Sequence, residues 1–177
     1  MSDNNKAADA VALDTNARLH VRAGLAVAFL TLVLDQAIKK AVEAYLPFGQ
    51  PVEVLPFFSL LYTFNTGIAF SFLNTLNPTT LLVIAGVVMM ILMYLWWHAR
   101  SDGLLVSLGY GMIMGGALGN IIDRALYGHV VDYVFLHAGS YSFAIFNLAD
   151  AALTVGVGLI LLATFFGQSS SRAGSRS

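Results

Sequence analysis

The chemistry this chain could perform rests on a few acids set in apolar surroundings. Asp35, Asp123 and Asp150 each lie inside or at the end of a long hydrophobic run, and Asp132 lies in HVVDY between the last two. Each has polar company: Lys39 stands one helical turn beyond Asp35, Asn120 and Arg124 flank Asp123, and Asn147 stands three residues before Asp150. Such acids are costly in a bilayer and mark functional candidates. Two carboxylates sharing a proton can activate water against a peptide carbonyl; intramembrane acids can equally form an ion pathway or hold subunits together. Asp35–Lys39 and Asp123–Arg124 also read as structural pairs that neutralise one another. Asp150 has no basic neighbour in its own segment and is the stronger functional candidate, whereas Asp132, taken alone, could be an ordinary solvated loop acid.

Other chemistries lack their residues. The chain has no cysteine, so thiolate metal sites and cysteine nucleophiles are excluded. H-E-x-x-H, G-x-S-x-G and G-x-G-x-x-G are absent, and His20, His98, His129 and His137 are scattered, so neither a metal nor another cofactor is expected. Of the 177 residues, 58% are hydrophobic and 11% charged, for a net charge of −1. Soluble domains carry about 25% charged residues. That contrast argues against a soluble domain, a disordered chain or a nucleic-acid binder.

Four runs are long enough to span a bilayer: Ala23 to about Leu46, Thr79–Trp97, Leu104–Ile122, and one from near Phe143 to Phe166. The first lacks the small-residue cleavage site of a signal peptide. With the N terminus inside, Lys6, Arg18, Arg22, Arg100, Arg172 and Arg176 are cytoplasmic, against Lys39, Lys40 and Arg124 outside. That bias places both termini in the cytoplasm. Tyr94, Trp96 and Trp97 would then anchor the second helix at the inner interface. At about 1.5 Å per residue, Asp35, Asp123 and Asp150 lie roughly 20, 28 and 24 Å above the inner face, in one layer near the outer edge.

The outer loops are 47–78 and 125–142. FFSLLYTF, in the first, is bounded by Pro56 and Asn65-Thr66-Gly67 and predicts an extended segment. The expectation is an all-α polytopic membrane protein, with four transmembrane helices and a small outer β-element on the periplasmic side. Residues 1–20 and 168–177 read as flexible tails around a membrane domain at 21–167. Gly111, Gly115 and Gly119, with Ser107 one turn earlier, form a stripe for close helix packing.

Five segments together resemble the lipoprotein signal peptidases, also called signal peptidase II. DQAIK at 35–39 is similar to that family's D-Q-x-x-K box, and NTGIAFSF at 65–72 to its N-x-G-x-A-F-S segment. GGALGNIIDR at 115–124, HVVDY at 129–133 and FNLAD at 146–150 resemble the remaining three, in family order. Tyr133 stands where Phe is common. The resemblance implies a monomeric aspartic endopeptidase of the bacterial inner membrane, with its active site near the periplasmic face. It implies removal of the signal peptide from a prolipoprotein, just before the diacylglyceryl-modified cysteine, with membrane lipid as surroundings and no nucleic-acid partner. It carries the catalytic pair onto Asp132 and Asp150. Asp35, Lys39, Asn65, Asn120, Asp123, Arg124 and Asn147 follow as supporting or substrate-binding residues, Arg124 being read as the cation that keeps Asp123 ionised. A proton- or ion-coupled transporter is the alternative from the acids alone, and a structural membrane subunit is a third.

Overall fold

The structure is a computed structural model. It describes residues 2–66, 78–139 and 141–173, and side chains within 15–66, 79–139 and 141–166. Among the described residues four helices and two β-hairpins follow in the order α1 (Ser2–Tyr45), β1 (Val52–Leu55), β2 (Phe58–Asn65), α2 (Pro78–Ala99), α3 (Leu104–Tyr127), β3 (Val130–Ala138), β4 (Tyr141–Phe146) and α4 (Leu148–Ala173). Among the described residues each helix contains a stretch long and apolar enough to cross a membrane. The protein is a multi-pass membrane protein.

Helix α3 is the hub. More than half of its apolar window (56%) is covered by protein, against 17% for α1 and α4 and 11% for α2. Its glycines make that possible. A Cβ at Gly111 would strike the backbone of Gly24 in α1, and one at Gly119 would strike the Asp35 carboxylate. On another face, Gly109 and Gly116 meet Gly156 and Ala149 of α4. Small residues thus seat α1 and α4 against α3 on two sides, where side-chain packing and hydrogen bonds must replace the hydrophobic effect. The faces left over carry Phe29, Val83, Met90 and Phe165, all more than half exposed, as lipid-facing surfaces do.

The extended segment at FFSLLYTF is present as β2, within a four-stranded antiparallel sheet of order β1-β2-β3-β4. The sheet extends further than the sequence suggests. Residues expected in the second outer loop form β3 and the first two residues of β4, and Phe143–Phe146, expected to begin the fourth helix, complete β4. The reason is local: Asn147 caps α4. Its Oδ1 accepts from Asp150 N at 3.0 Å while Asp150 Oδ2 accepts from Asn147 N at 3.4 Å, the reciprocal pattern of a capping box. The sheet is tied to the bundle by Val42, Val131 and Tyr133, packed with Leu46, Leu60 and Leu148.

Two further expectations change. Residues 2–20 and 168–173, read as tails, continue α1 and α4 as helix. Trp96 is only 6% exposed and donates from Nε1 to Ser107 Oγ at 3.3 Å. It therefore packs α2 on α3, leaving Tyr94 and Trp97 as the exposed aromatics there. Of the NTGIAFSF segment, Gly67–Phe72 lie outside the described residues.

Candidate active site

The acids converge where the sheet meets the C-terminal ends of α1 and α3 and the N-terminal end of α4. At the centre is Lys39, 2% exposed. Its Nζ lies 2.7 Å from Asp35 Oδ2 and 2.8 Å from Asp123 Oδ2, and donates to Asn120 Oδ1 at 3.0 Å. Two carboxylates and one amide oxygen thus surround a single buried ammonium. Asp35 also accepts from Ala149 N at 3.0 Å, which pins the start of α4 to α1. Asp123 accepts from Gln36 Nε2 at 2.8 Å and from Val131 N at 3.4 Å, which pins the start of β3 to α3.

The cation that neutralises Asp123 is therefore Lys39, not Arg124. Successive helical residues point about 100° apart, so neighbours in sequence do not face each other. Arg124 instead lines the same groove as Asp150. Its Nη1 also reaches the Asn120 carbonyl at 3.4 Å.

Above this ionic layer stand Asp132 and Asp150, bridged by two asparagines. Asn147 Nδ2 donates to Asp132 Oδ1 at 2.7 Å and approaches Asn120 Oδ1 at 3.3 Å, and Asn120 Nδ2 donates to Asp150 Oδ1 at 2.8 Å. Asn65, the last residue of β2, donates to Asp132 Oδ2 at 2.9 Å. Asp132 lies in the sheet rather than a solvated loop: it pairs with Thr63 and is 2% exposed. Burial pushes its carboxyl up to about 6; the Asn65 hydrogen bond opposes that, the charge of Asp150 reinforces it, and Asn147 and Lys39 oppose it.

Asp150 opens onto a groove of about 590 Å³ between α2 and the α3–α4 pair. Asn65, Asn120 and Arg124 share its polar end; Ile84, Val88 and Leu92 continue it down α2. A mostly apolar cleft with a few convergent polar groups is the usual form of a binding site. All nine residues singled out from the sequence belong to this one network. Gln36 joins them and was not anticipated; its place one residue after Asp35 in DQAIK was the available signal.

The chain matches the family model of signal peptidase (SPase) II over residues 27–166. It belongs to the signal peptidase II family. The lipoprotein signal peptidases of Brucella ovis and Brucella melitensis biotype 1 are each 44% identical to it over 147 residues, 83% of this chain and 92% of theirs. Two structures of a bacterial membrane enzyme solved by the in meso method are each 32% identical. One, at 1.9 Å resolution, has a TM-score of 0.71 and is covered over 91% of its length by 80% of this chain. The other, at 2.3 Å, has a TM-score of 0.73, with 90% of it matched by 83% of this chain. Members of this peptidase family are proteases. The ion-coupled transporter that the buried acids left open finds no support among these relatives.

Proposed function

We propose that this signal peptidase II family protease cleaves a prolipoprotein just before its diacylglyceryl-modified cysteine, with Asp132 and Asp150 as the catalytic pair. The observation that carries this reading is the pairing of two carboxylates through Asn147 and Asn120 at the polar end of an apolar groove. Burial favours the neutral form of Asp132, and with the shared proton placed there it polarises the scissile carbonyl. Asp150, facing the groove, takes a proton from the attacking water. The proton on Asp132 then helps the leaving amine depart. Such a pair titrates as a unit, so its pH dependence reports macroscopic values. Arg124 and Asn65, both in the groove wall, contact the substrate backbone near the cut. Asp35, Lys39 and Asp123 position the frame, and Asn120 and Asn147 orient the carboxylates.

The peptidase domain is residues 21–167, with 1–20 and 168–177 as extensions on the cytoplasmic side, and the enzyme acts as a monomer in the inner membrane. The excess of Lys and Arg at the termini and at Arg100 supports both termini inside and the sheet on the periplasmic face. A reporter fused at Ser101 should read cytoplasmic and one at His137 periplasmic; the reverse would invert this orientation.

The acyl chains are what set the depth of the substrate. Anchored in lipid, they hold the scissile bond at the layer of Asp150 and so convert positioning into rate. Purified enzyme in detergent should therefore cut a diacylglyceryl-modified precursor and leave the unmodified one nearly intact. Equal cleavage of both would remove the lipid from the recognition scheme; cleavage of neither would remove the peptidase reading.

A further inference from the structure

The first turn of α4 is held by more than its own cap. The first four N–H groups of a helix have no carbonyl partner within it. Here each finds a side-chain oxygen. Asn147 N and Asp150 N are served by the reciprocal cap, and Ala149 N by Asp35 Oδ1 of α1. Leu148 N donates to Tyr133 Oη of β3 at 3.0 Å. Tyr133 is 6% exposed and lies in the cluster of Val42 and Val131, with Leu148 packed against it. A phenylalanine would fill that space and leave Leu148 N without its acceptor, so packing alone does not account for the oxygen. Burial pushes the Tyr133 hydroxyl up to about 12; the Leu148 N–H opposes that, and the charges of Asp35, Asp132 and Asp150 reinforce it. The group therefore stays neutral near neutral pH and acts as a hydrogen-bond partner, not as an acid.

We propose that Tyr133 is a positioning residue for the catalytic pair: its hydroxyl holds the first turn of α4 against β3 and so keeps Asn147 in place on Asp132. This rests on the peptidase reading above. Tyr133 directly follows Asp132, and Leu148 directly follows Asn147. Neighbouring strand residues point to opposite faces, so β3 grips the start of α4 at two points. Through Asp132 it accepts from Asn147 Nδ2 at 2.7 Å, and through Tyr133 it accepts from Leu148 N. The first contact depends on the side-chain torsions of Asn147; the second fixes the backbone from which that side chain hangs. Asp150, three residues after Asn147, belongs to the same turn. The hydroxyl thus acts on the spacing of the two carboxylates through the backbone, and small misplacements of reacting groups cost rate.

The experiment compares full-length wild-type enzyme, Tyr133→Phe and Val42→Ala on a diacylglyceryl-modified precursor in detergent. Tyr133→Phe removes one acceptor and keeps the ring, so kcat should fall about fivefold with KM little changed. The Asn147 hydrogen bond stabilises the Asp132 carboxylate, so loosening it should move the alkaline limb of kcat/KM up by about half a pH unit. The charged groups around Asp132, namely Lys39 of α1, Arg124 of α3 and Asp150 of α4, are the same in both variants, so a moved limb reports the hydrogen bond. Val42→Ala thins the same cluster without removing a hydrogen bond; it should lower the thermal midpoint and leave the limb in place. In an Asn147→Ala background Tyr133→Phe should cost kcat little more, since both act through one contact. An unmoved limb in Tyr133→Phe, an equal shift in Val42→Ala, or full additivity with Asn147→Ala would each reduce Tyr133 to a packing residue and overturn the proposal. Failure of the wild-type enzyme to cut the precursor would instead strike the peptidase reading.

Discussion

Asp132→Asn and Asp150→Asn should each lower kcat for a lipidated precursor by roughly 10³- to 10⁴-fold, the upper range for loss of a general acid or base. Both proteins should remain folded in the membrane. An asparagine at 132 still offers an oxygen to Asn65 or Asn147, whose amides now donate at 2.9 and 2.7 Å. Asp123→Asn should behave differently and lose abundance before chemistry, because its carboxylate faces Lys39 and not the groove. A well-folded but inactive Asp123→Asn beside an active Asp132→Asn would overturn the assignment. The pH dependence separates the pair further. Burial pushes the Asp132 carboxyl up to about 6, so the singly protonated pair should be lost as pH rises through that region. Asn65→Ala removes a hydrogen bond that stabilises the Asp132 carboxylate, so the alkaline limb of kcat/KM should move to higher pH. Asp150→Asn removes a charge that pushes Asp132 up, so the ¹³C-detected titration of Asp132 should move down. Movement in the opposite directions would show that other groups govern the ionisation.

What the sequence could and could not show follows from the range of each interaction. The spans were legible because a bilayer demands long uncharged runs, and Thr79–Trp97 satisfies that demand without reference to anything else. The start of α4 was not, because SFAIF is equally apolar as strand or helix; only the Asn147–Asp150 cap separates them, and hydropathy does not register a cap. Asp35 and Lys39 could be paired from their spacing. The partner of Asp123 could not, since Lys39 is distant in sequence while Arg124 is adjacent and wrongly aimed. The burial of Asp132 likewise arises from pairing with Thr63 in another hairpin. Five short motifs nevertheless assembled all nine residues, because motif order captures contacts that local physics cannot derive.

Lys39 is where fold and chemistry depend on one group, so its removal should have the largest structural effect. Lys39→Met keeps most of the side-chain volume and deletes the charge. Asp35 and Asp123, 0% and 2% exposed, would then lie buried without their cation. Breaking a buried ion pair from one side costs about 3–5 kcal/mol, because the remaining charge cannot be rehydrated. For a chain of this size that corresponds to a fall of roughly 10 °C in the thermal midpoint, measured in detergent. The damage should reach the proposed catalytic pair as well. Asn120 Oδ1 loses its donor, and Asn120 Nδ2 is the group that holds Asp150. Replacing the acids together with the lysine discriminates charge from packing. The triple variant Asp35→Asn, Lys39→Met, Asp123→Asn buries no unpaired ion and should recover most of the midpoint. Activity should recover less, since Asn120 is still released. If Lys39→Met unfolded at the wild-type temperature, the ionic layer would not be what fixes α1, α3 and α4 around Asp132 and Asp150, and the glycine contacts of α3 would have to carry that role by themselves.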